Sequence, residues 1–445
     1  MTGPVPPRPT GARGFALIWG GQVVSLLGTA MTRFGLMVWA WEETGRATTL
    51  ALLLFFQIGA TLVLSPLAGV LVDRFDRRRV MIVADLAAGL PTVALLALYL
   101  TGGLELWHVY VAAGLSGGAE TFQLPAYTAS VTLMVPKRHY ARASGLTSFG
   151  DSASRVFGPP LAAVLMPWVG LGGVLLIDVA SFLAAVGALL AVGVPRPPPS
   201  AEGRAARGFW RQTLFGLRYI LARRGLLQLQ LALALINFLV FIGPVLRAPM
   251  VLARTGGDEL ALGGVMAAAG AGGLIGGLLL AVWGGVRRRV AGALTAAALA
   301  GAGNVVLGAG AGPWIWTAGA FCYPFFQALT NGHTQAFWQS KVPPDVQGRV
   351  FSFRLLVAQF SVLPALLLAG PAADRLFEPA MAPGGALAPA LAPLFGTGAG
   401  AGMAVLIAVT GALAAAVAAG ALALRPIREV EDSLPDHADD RSAAA

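Results

Sequence analysis

Apolar stretches of about 20 residues recur along this chain, separated by short connections that carry most of its charge. A helix of about 20 residues is what crossing the hydrocarbon of a bilayer requires, so each stretch predicts one spanning helix. About twelve are legible, near 14–39, 48–72, 80–101, 106–133, 142–167, 171–193, 226–252, 259–283, 290–311, 313–338, 348–373 and 398–424. Boundaries are softest in the Ala/Gly-rich region from Gly256 to Gly312. The fold class expected is therefore an all-α polytopic membrane protein. Its divisions are a tail over 1–13, a six-helix bundle over 14–193, a linker over 194–225, a second bundle over 226–424 and a tail over 425–445. Six helices, a long loop and six more is the form expected of two repeats with a substrate site between them at mid-membrane.

The linker opens with Pro195-Arg196-Pro197-Pro198-Pro199, which cannot be helical. Further on, Trp210, Leu214, Leu217, Ile220 and Leu221 share one helical face, with Arg211 and Arg218 elsewhere. Such a face lies either on the inner membrane surface or against the protein. The segment from Met1 to Arg13 holds four prolines and no apolar core, so it is expected to be neither a signal peptide nor a folded element. The polar tail after Glu429 is expected to be unstructured.

Composition agrees with the pattern: 56% of residues are apolar, 12% are charged, and the mean hydropathy is +0.73. A net charge of +10 invites a nucleic-acid reading, but its distribution removes it. With the N-terminus inside and alternating sides, the inner segments hold 25 of the 31 Lys and Arg residues, leaving Arg33, Arg46, Arg155, Arg247, Arg254 and Arg375. That bias is the positive-inside rule, and it puts both termini in the cytoplasm of a cell whose inner membrane holds the protein. A single cysteine, Cys322, rules out an intrachain disulfide. His108, His139, His333 and His437 have no ligand spacing, and no phosphate-binding Gly-rich motif occurs. No metal, cofactor or nucleic-acid partner is expected, and no enzymatic activity.

One connection carries an ordered motif. Residues 69–78 read Gly-Val-Leu-Val-Asp-Arg-Phe-Asp-Arg-Arg. Gly69, Asp73, Arg74, Arg77 and Arg78 resemble, position by position, the loop between the second and third helices of major facilitator superfamily transporters. The resemblance spans about Phe15 to Leu424 and implies that fold, a monomer, and a conformational gate at this loop. In that gate Asp73 and Arg77 would latch the inner side through a charge–dipole contact with the eleventh helix. Arg155-Val-Phe-Gly-Pro-Pro resembles the Gly-Pro element of exporters, with Gly158 and Pro159 bending or closely packing the fifth segment. Gly348 to Arg354 and Ala369 to Met381 resemble the enterobactin-exporter and macrolide-efflux branch, drug:proton antiporters. One departure stands out: after the eighth segment the chain reads Trp283-Gly-Gly-Val-Arg-Arg-Arg, with no acid matching Asp73.

Charges inside membrane helices cost about 2.5–3.5 kcal/mol each on insertion scales, so those present are candidates for function. Asp85 and Asp178 lie about two turns from the ends of their segments, and a structural role suits both. Arg33 and Arg247 are placed where they can snorkel. Asp151 and Arg155 are one turn apart and can pair, as a structural ion pair or a substrate contact. Glu120 sits mid-segment between Gly117, Gly118 and Gln123 with no basic residue within a turn. It is the leading proton-coupling candidate, with a neighbouring-helix hydrogen bond or a pair with Arg33 as the alternatives. Gln22, Phe34, Gln57, Asn237, Phe241, Gln327, Asn331 and Gln335 offer the mixed aromatic and amide surface that suits a large amphipathic ligand.

The expected function is secondary active export of an amphipathic small molecule: a drug, a macrolide-like compound, a siderophore or a secreted peptide. A proton gradient supplies the energy, by alternating access. An importer of a small polar nutrient on the same fold is the alternative, and a polytopic membrane enzyme the remote one.

Overall fold

The computed structural model describes residues 11–74, 77–135, 140–192, 218–342 and 344–433. Among them every regular element is helical. The long helices are α1 (Gly11–Thr44), α2 (Ala47–Arg74), α3 (Arg77–Leu100), α4 (Leu106–Met134), α5 (Tyr140–Ala191), α6 (Arg224–Thr255), α7 (Glu259–Trp283), α8 (Arg289–Ala309), α9 (Pro313–Lys341) and α10 (Pro344–Ala372). A π-helical turn, Ala373–Phe377, leads from α10 into the short α11 (Glu378–Met381). Then come α12 (Ala388–Phe395), α13 (Ala401–Ala423), α14 (Arg425–Arg428) and α15 (Val430–Ser433). Nine helical stretches among the described residues are long and apolar enough to cross a membrane.

The fifth and sixth expected segments run together as α5, a 52-residue helix broken only at Gly170. Gly170 has φ 64 and ψ −178, a backbone geometry that only glycine adopts readily, so the chain bends there without a loop. The soft region after Gly256 resolves through its caps. Gly256 closes α6 in the left-handed conformation, Asp258 accepts from the Ala261 N–H at 3.0 Å to open α7, and Gly284 closes α7.

Contacts divide the chain into two compact units: residues 1–45 with 52–206, and residues 46–51 with 207–445. In the first, α1 packs chiefly on α5 and α3 on α4. Gly21, Gly28 and Gly35 recur every seven residues along the α1 face that meets α5. A Cβ on Gly28 would stand 2.3 Å from Ser181 Oγ, and one on Gly158 would stand 2.5 Å from Ala30 Cβ. Hydrocarbon gives helices no hydrophobic reason to associate, so such close approach supplies the van der Waals contact instead. The expectation of tight packing at Gly158 thus has a named partner, Ala30.

The second unit is built on α9 against α7 and α8, and α13 against α8 and α6. Its core gathers Leu226, Leu229, Val240, Leu294, Phe337, Trp338 and Val430. Val430 is 1% exposed within a helical turn, so the order of the chain extends past Glu429, contrary to expectation. The linker's proposed helical face lies largely outside the described residues, but Ile220 at its end is buried in this core. The segments 1–10 and 434–445 also lie outside them.

The α7–α9 crossing yields a test. A Cβ on Gly272 would meet the Phe321 carbonyl oxygen at 2.2 Å, whereas one on Gly277 meets nothing within 4 Å. Gly272→Ala is expected to cost about 1–3 kcal/mol through backbone displacement, and Gly277→Ala to be neutral or stabilising. Thermal unfolding of the two purified variants in detergent checks the difference.

Candidate functional site

Three polar clusters form inside the first unit, and each follows from where its helices touch. The α2–α4 crossing is at Gly117, where a Cβ would come 2.3 Å from the Gln57 carbonyl oxygen. Thr61 Oγ1 reinforces it by donating to the Gly117 carbonyl at 2.9 Å. One turn further along α4, Glu120 therefore faces both α2 and α1. Arg33 from α1 forms an ion pair with Glu120. With its oxygen turned toward α1, the Gln57 amide accepts from the same guanidinium at 2.9–3.3 Å. Glu120 is isolated along its own helix but not in the fold. Of the alternatives open for Glu120, the structure holds the pair with Arg33, 87 positions away.

The second cluster centres on Asp85 of α3, 3% exposed. Gln22 Nε2 donates to Asp85 Oδ2 at 3.0 Å, and Gln123 Nε2 donates to Asp85 Oδ1 at 2.5 Å. Gln123 Nε2 also reaches Gln22 Oε1 at 2.7 Å, closing a triangle of one carboxylate and two amides. The third cluster holds Asp178 of α5, 4% exposed, between the hydroxyls of Thr29 and Thr92, each donating at 3.2 Å. Asp151 and Arg155 pair within α5 at 3.1 Å, with both side chains half-exposed or more.

Two of the expected cavity residues are not open. Phe34 is 1% exposed in the packing of α1, and Gln22, at 7%, is committed to Asp85. In the second unit, Asn237 is likewise engaged, donating to Ser361 Oγ at 2.8 Å and to the Ala358 carbonyl at 3.0 Å, which ties α6 to α10. Gln335 accepts from Arg354 at 2.6 Å, and the Arg354 guanidinium lies 5.7 Å from the Trp338 ring and 5.5 Å from that of Phe351. Gln327 and Asn331 pair loosely at 3.4 Å along an exposed strip of α9. Phe241 is half-buried on α6.

The side chains of the gate residues Gly69, Asp73, Arg74, Arg77 and Arg78 lie outside the described residues; their backbone ends α2 and begins α3. Its counterpart at the other end of α2 is on view and escaped the sequence reading. Asp374, in the π-helical turn after α10, accepts from the N–H groups of Ala47 and Thr48 at 3.0 and 2.9 Å and from the Thr48 hydroxyl at 2.6 Å. It caps the first turn of α2. Gly370 permits the approach, since a Cβ there would lie 2.4 Å from Thr48 Cα. A signal was present: Gly370-x-x-x-Asp374-Arg375 repeats the spacing of Gly69-x-x-x-Asp73-Arg74.

The same device recurs twice. Glu378 accepts from Gly400 and Met403 N–H at 3.0 and 2.7 Å, at the start of α13. Glu431 accepts from Arg289 and Val290 N–H at 3.0 and 3.3 Å, at the start of α8. The acid missing beside Trp283-Gly-Gly-Val-Arg-Arg-Arg is thus supplied from the far end of the chain. His333 completes that turn, its Nε2 accepting from Val286 N–H at 3.0 Å while Nδ1 lies 2.8 Å from the Leu329 carbonyl. Both ring nitrogens are occupied, so His333 is a structural staple. No group of three His, Cys, Asp or Glu residues suited to a metal occurs among the described residues.

Residues 18–365 match the family model described as Major Facilitator Superfamily. Macrolide efflux protein A of Streptococcus pyogenes is 27% identical over 368 residues, covering 81% of this chain and 90% of that protein. Among solved structures, the POT family transporter PepTSo aligns with TM-score 0.68 at 14% identity, covering 96% of this chain and 99% of that one. A bacterial homolog of the human lysosomal transporter Spinster, inward-facing and unoccupied, aligns with TM-score 0.65 at 17% identity, covering 92% of this chain and 96% of that one. At these identities the solved structures show the fold alone.

Removing the Asp374 carboxylate leaves three donors of the α2 first turn without an acceptor. Asp374→Ala is expected to cost about 0.5–2 kcal/mol locally and to speed amide exchange in the 46–51 peptide by roughly two- to thirtyfold. Hydrogen-exchange mass spectrometry checks this, with the 289–291 peptide unchanged as the internal control. Equal exchange at 46–51 would mean the cap holds nothing.

Proposed function

The chain belongs to the major facilitator superfamily, and from that membership we propose that it exports an amphipathic small molecule in exchange for protons. The family makes it a multi-pass membrane transporter of a small molecule. The proposal adds direction, substrate class and coupling, in a monomer of the cell's inner membrane with both termini in the cytoplasm.

The observation that carries the reading is the character of the polar groups inside the first unit. Among the described residues, Arg33 of α1 pairs with Glu120 of α4, and the pair is closed on itself and on Gln57. The other buried polar side chains described there offer amides and hydroxyls, and Asp85 and Asp178 take their hydrogen bonds from neutral groups. A small charged nutrient needs a fixed opposite charge to offset its lost hydration. An amphipathic compound needs apolar area and a few orienting hydrogen bonds. The kinship with proteins named for macrolide efflux favours outward transport of such a compound. Within the second unit, Phe241 on α6 and Gln327 and Asn331 on α9 are the residues proposed to meet it; within the first, Gln57 on α2 is proposed separately.

Alternating access needs elements with two arrangements of similar free energy. Gly69, Asp73, Arg74, Arg77 and Arg78 are proposed as the gate at the inner end of α2, and Asp374 as the matching acid at its beginning. A capped first turn and an uncapped one differ by a few hydrogen bonds, the scale on which a substrate or a proton can shift a population.

Uptake of radiolabelled erythromycin in an efflux-deficient host tests the proposal. Cells making the protein are expected to accumulate several-fold less than empty-vector cells, and a protonophore should abolish the difference. Higher accumulation in the expressing cells would instead support the importer reading. A deficit that survives the protonophore would exclude proton coupling.

A further inference from the structure

Among the described residues, seven carboxylates on the helices meet three kinds of partner, and the differences single one out. Glu120 and Asp151 have guanidinium partners. Asp374, Glu378 and Glu431 sit on helix N-termini, where several N–H groups and the helix dipole converge. Asp85 and Asp178 have only neutral hydrogen-bond partners, and of the two only Asp178 also lies within electrostatic reach of Arg33. A charged side chain at such depth without a counter-charge is costly and marks a functional position by default.

The two differ in what their partners can do. Asp178 lies in the α1–α5 contact, pinned where a Cβ on Gly28 would come 2.9 Å from its Oδ1. Nothing there can rearrange without separating two glycine-packed helices. Asp85 joins three helices, α3 through its own backbone, α1 through Gln22 and α4 through Gln123. Among the described residues no Lys, Arg, His or second carboxylate shares a hydrogen bond or ion pair with it. A primary amide serves both forms of an acid, its NH2 donating to the carboxylate and its C=O, after a half-turn, accepting from the carboxylic O–H. The observed triangle is the ionised arrangement, with both Asp85 oxygens receiving N–H groups.

We propose that Asp85, clasped by Gln22 and Gln123, is the carboxylate that carries the proton in the transport cycle. Protonation adds one hydrogen to an Asp85 oxygen, and a Gln amide turns to accept it. Release returns the hydrogen to water and restores the two N–H donors. Gln123 lies one turn from Glu120 on α4, about 4.5 Å along the axis, so rearrangement of the clasp reaches the Arg33–Glu120–Gln57 cluster through one helix. Glu120, held by Arg33, then acts as a substrate-responsive ion pair rather than a proton carrier. This assignment rests on the proton-coupled export proposed above and deepens it.

Purified protein in proteoliposomes, with radiolabelled erythromycin as the probe, tests it. Wild type is expected to drive erythromycin uphill on an imposed pH gradient and to catalyse downhill counterflow. Asp85→Asn should lose the first by tenfold or more and keep the second, while Asp178→Asn retains pH-driven transport. PH-driven transport by Asp85→Asn at the wild-type level overturns the assignment, as does equal loss of counterflow in a correctly folded variant. A wild type that exchanges erythromycin but ignores the pH gradient removes the coupling reading itself, a result distinct from either. A second measurement needs no variant. Dicyclohexylcarbodiimide attacks protonated carboxyls in apolar surroundings, and peptide mapping of treated wild type should find the adduct on Asp85, diminished by erythromycin. An adduct on Asp178 or Glu120 with Asp85 unmodified overturns the proposal even if Asp85→Asn fails to reach the membrane.

Discussion

Hydrocarbon offers no water to a carboxylate or to the open end of a helix, and that constraint organises this protein. Acids and helix N-termini are each expensive alone and satisfy one another when brought together. Asp374 caps α2, Glu378 caps α13 and Glu431 caps α8, each from a distant stretch of chain. A helix end closed this way is fixed in place without spending an apolar residue on it. Where no helix end was available, the chain supplied an arginine to Glu120, threonines to Asp178 and glutamines to Asp85. The functional reading grows from this sorting, because the kind of partner decides whether an acid holds structure or can change its charge.

Close approach of the helices is the second requirement, since such hydrogen bonds need backbones within reach. Gly117 brings α2 to α4 so that Gln57 and Glu120 can share Arg33, and Gly370 brings Thr48 under Asp374. Small residues here act as positioning devices for polar groups as much as packing devices.

The helical architecture was legible because a spanning helix writes its length and polarity into consecutive residues. Even the α5 bend was visible as a gap between two apolar runs, with Gly170 in it. The polar clusters were less legible, because their members come from different helices. The Glu120–Arg33 pair, 87 positions apart, was one alternative among several that spacing could not decide, and the α8 cap is contributed by Glu431 from a tail that read as unstructured. Asp85 looked ordinary in sequence, and only the fold reveals that both its oxygens meet amides. The second Gly-x-x-x-Asp-Arg was readable in principle, but without an arginine run after it the spacing did not stand out from its apolar surroundings.

The family makes the protein a transporter, and the coupling proposed for a buried acid held by two amides would make its substrate and proton movements one process. The direct test is to follow protons while only the substrate gradient is imposed. Proteoliposomes with equal pH on both sides, loaded with a pH-sensitive dye, receive an erythromycin gradient. The account predicts proton movement opposite to erythromycin, creating a pH difference that a protonophore collapses. Erythromycin equilibration with no dye response beyond that of protein-free vesicles would contradict it.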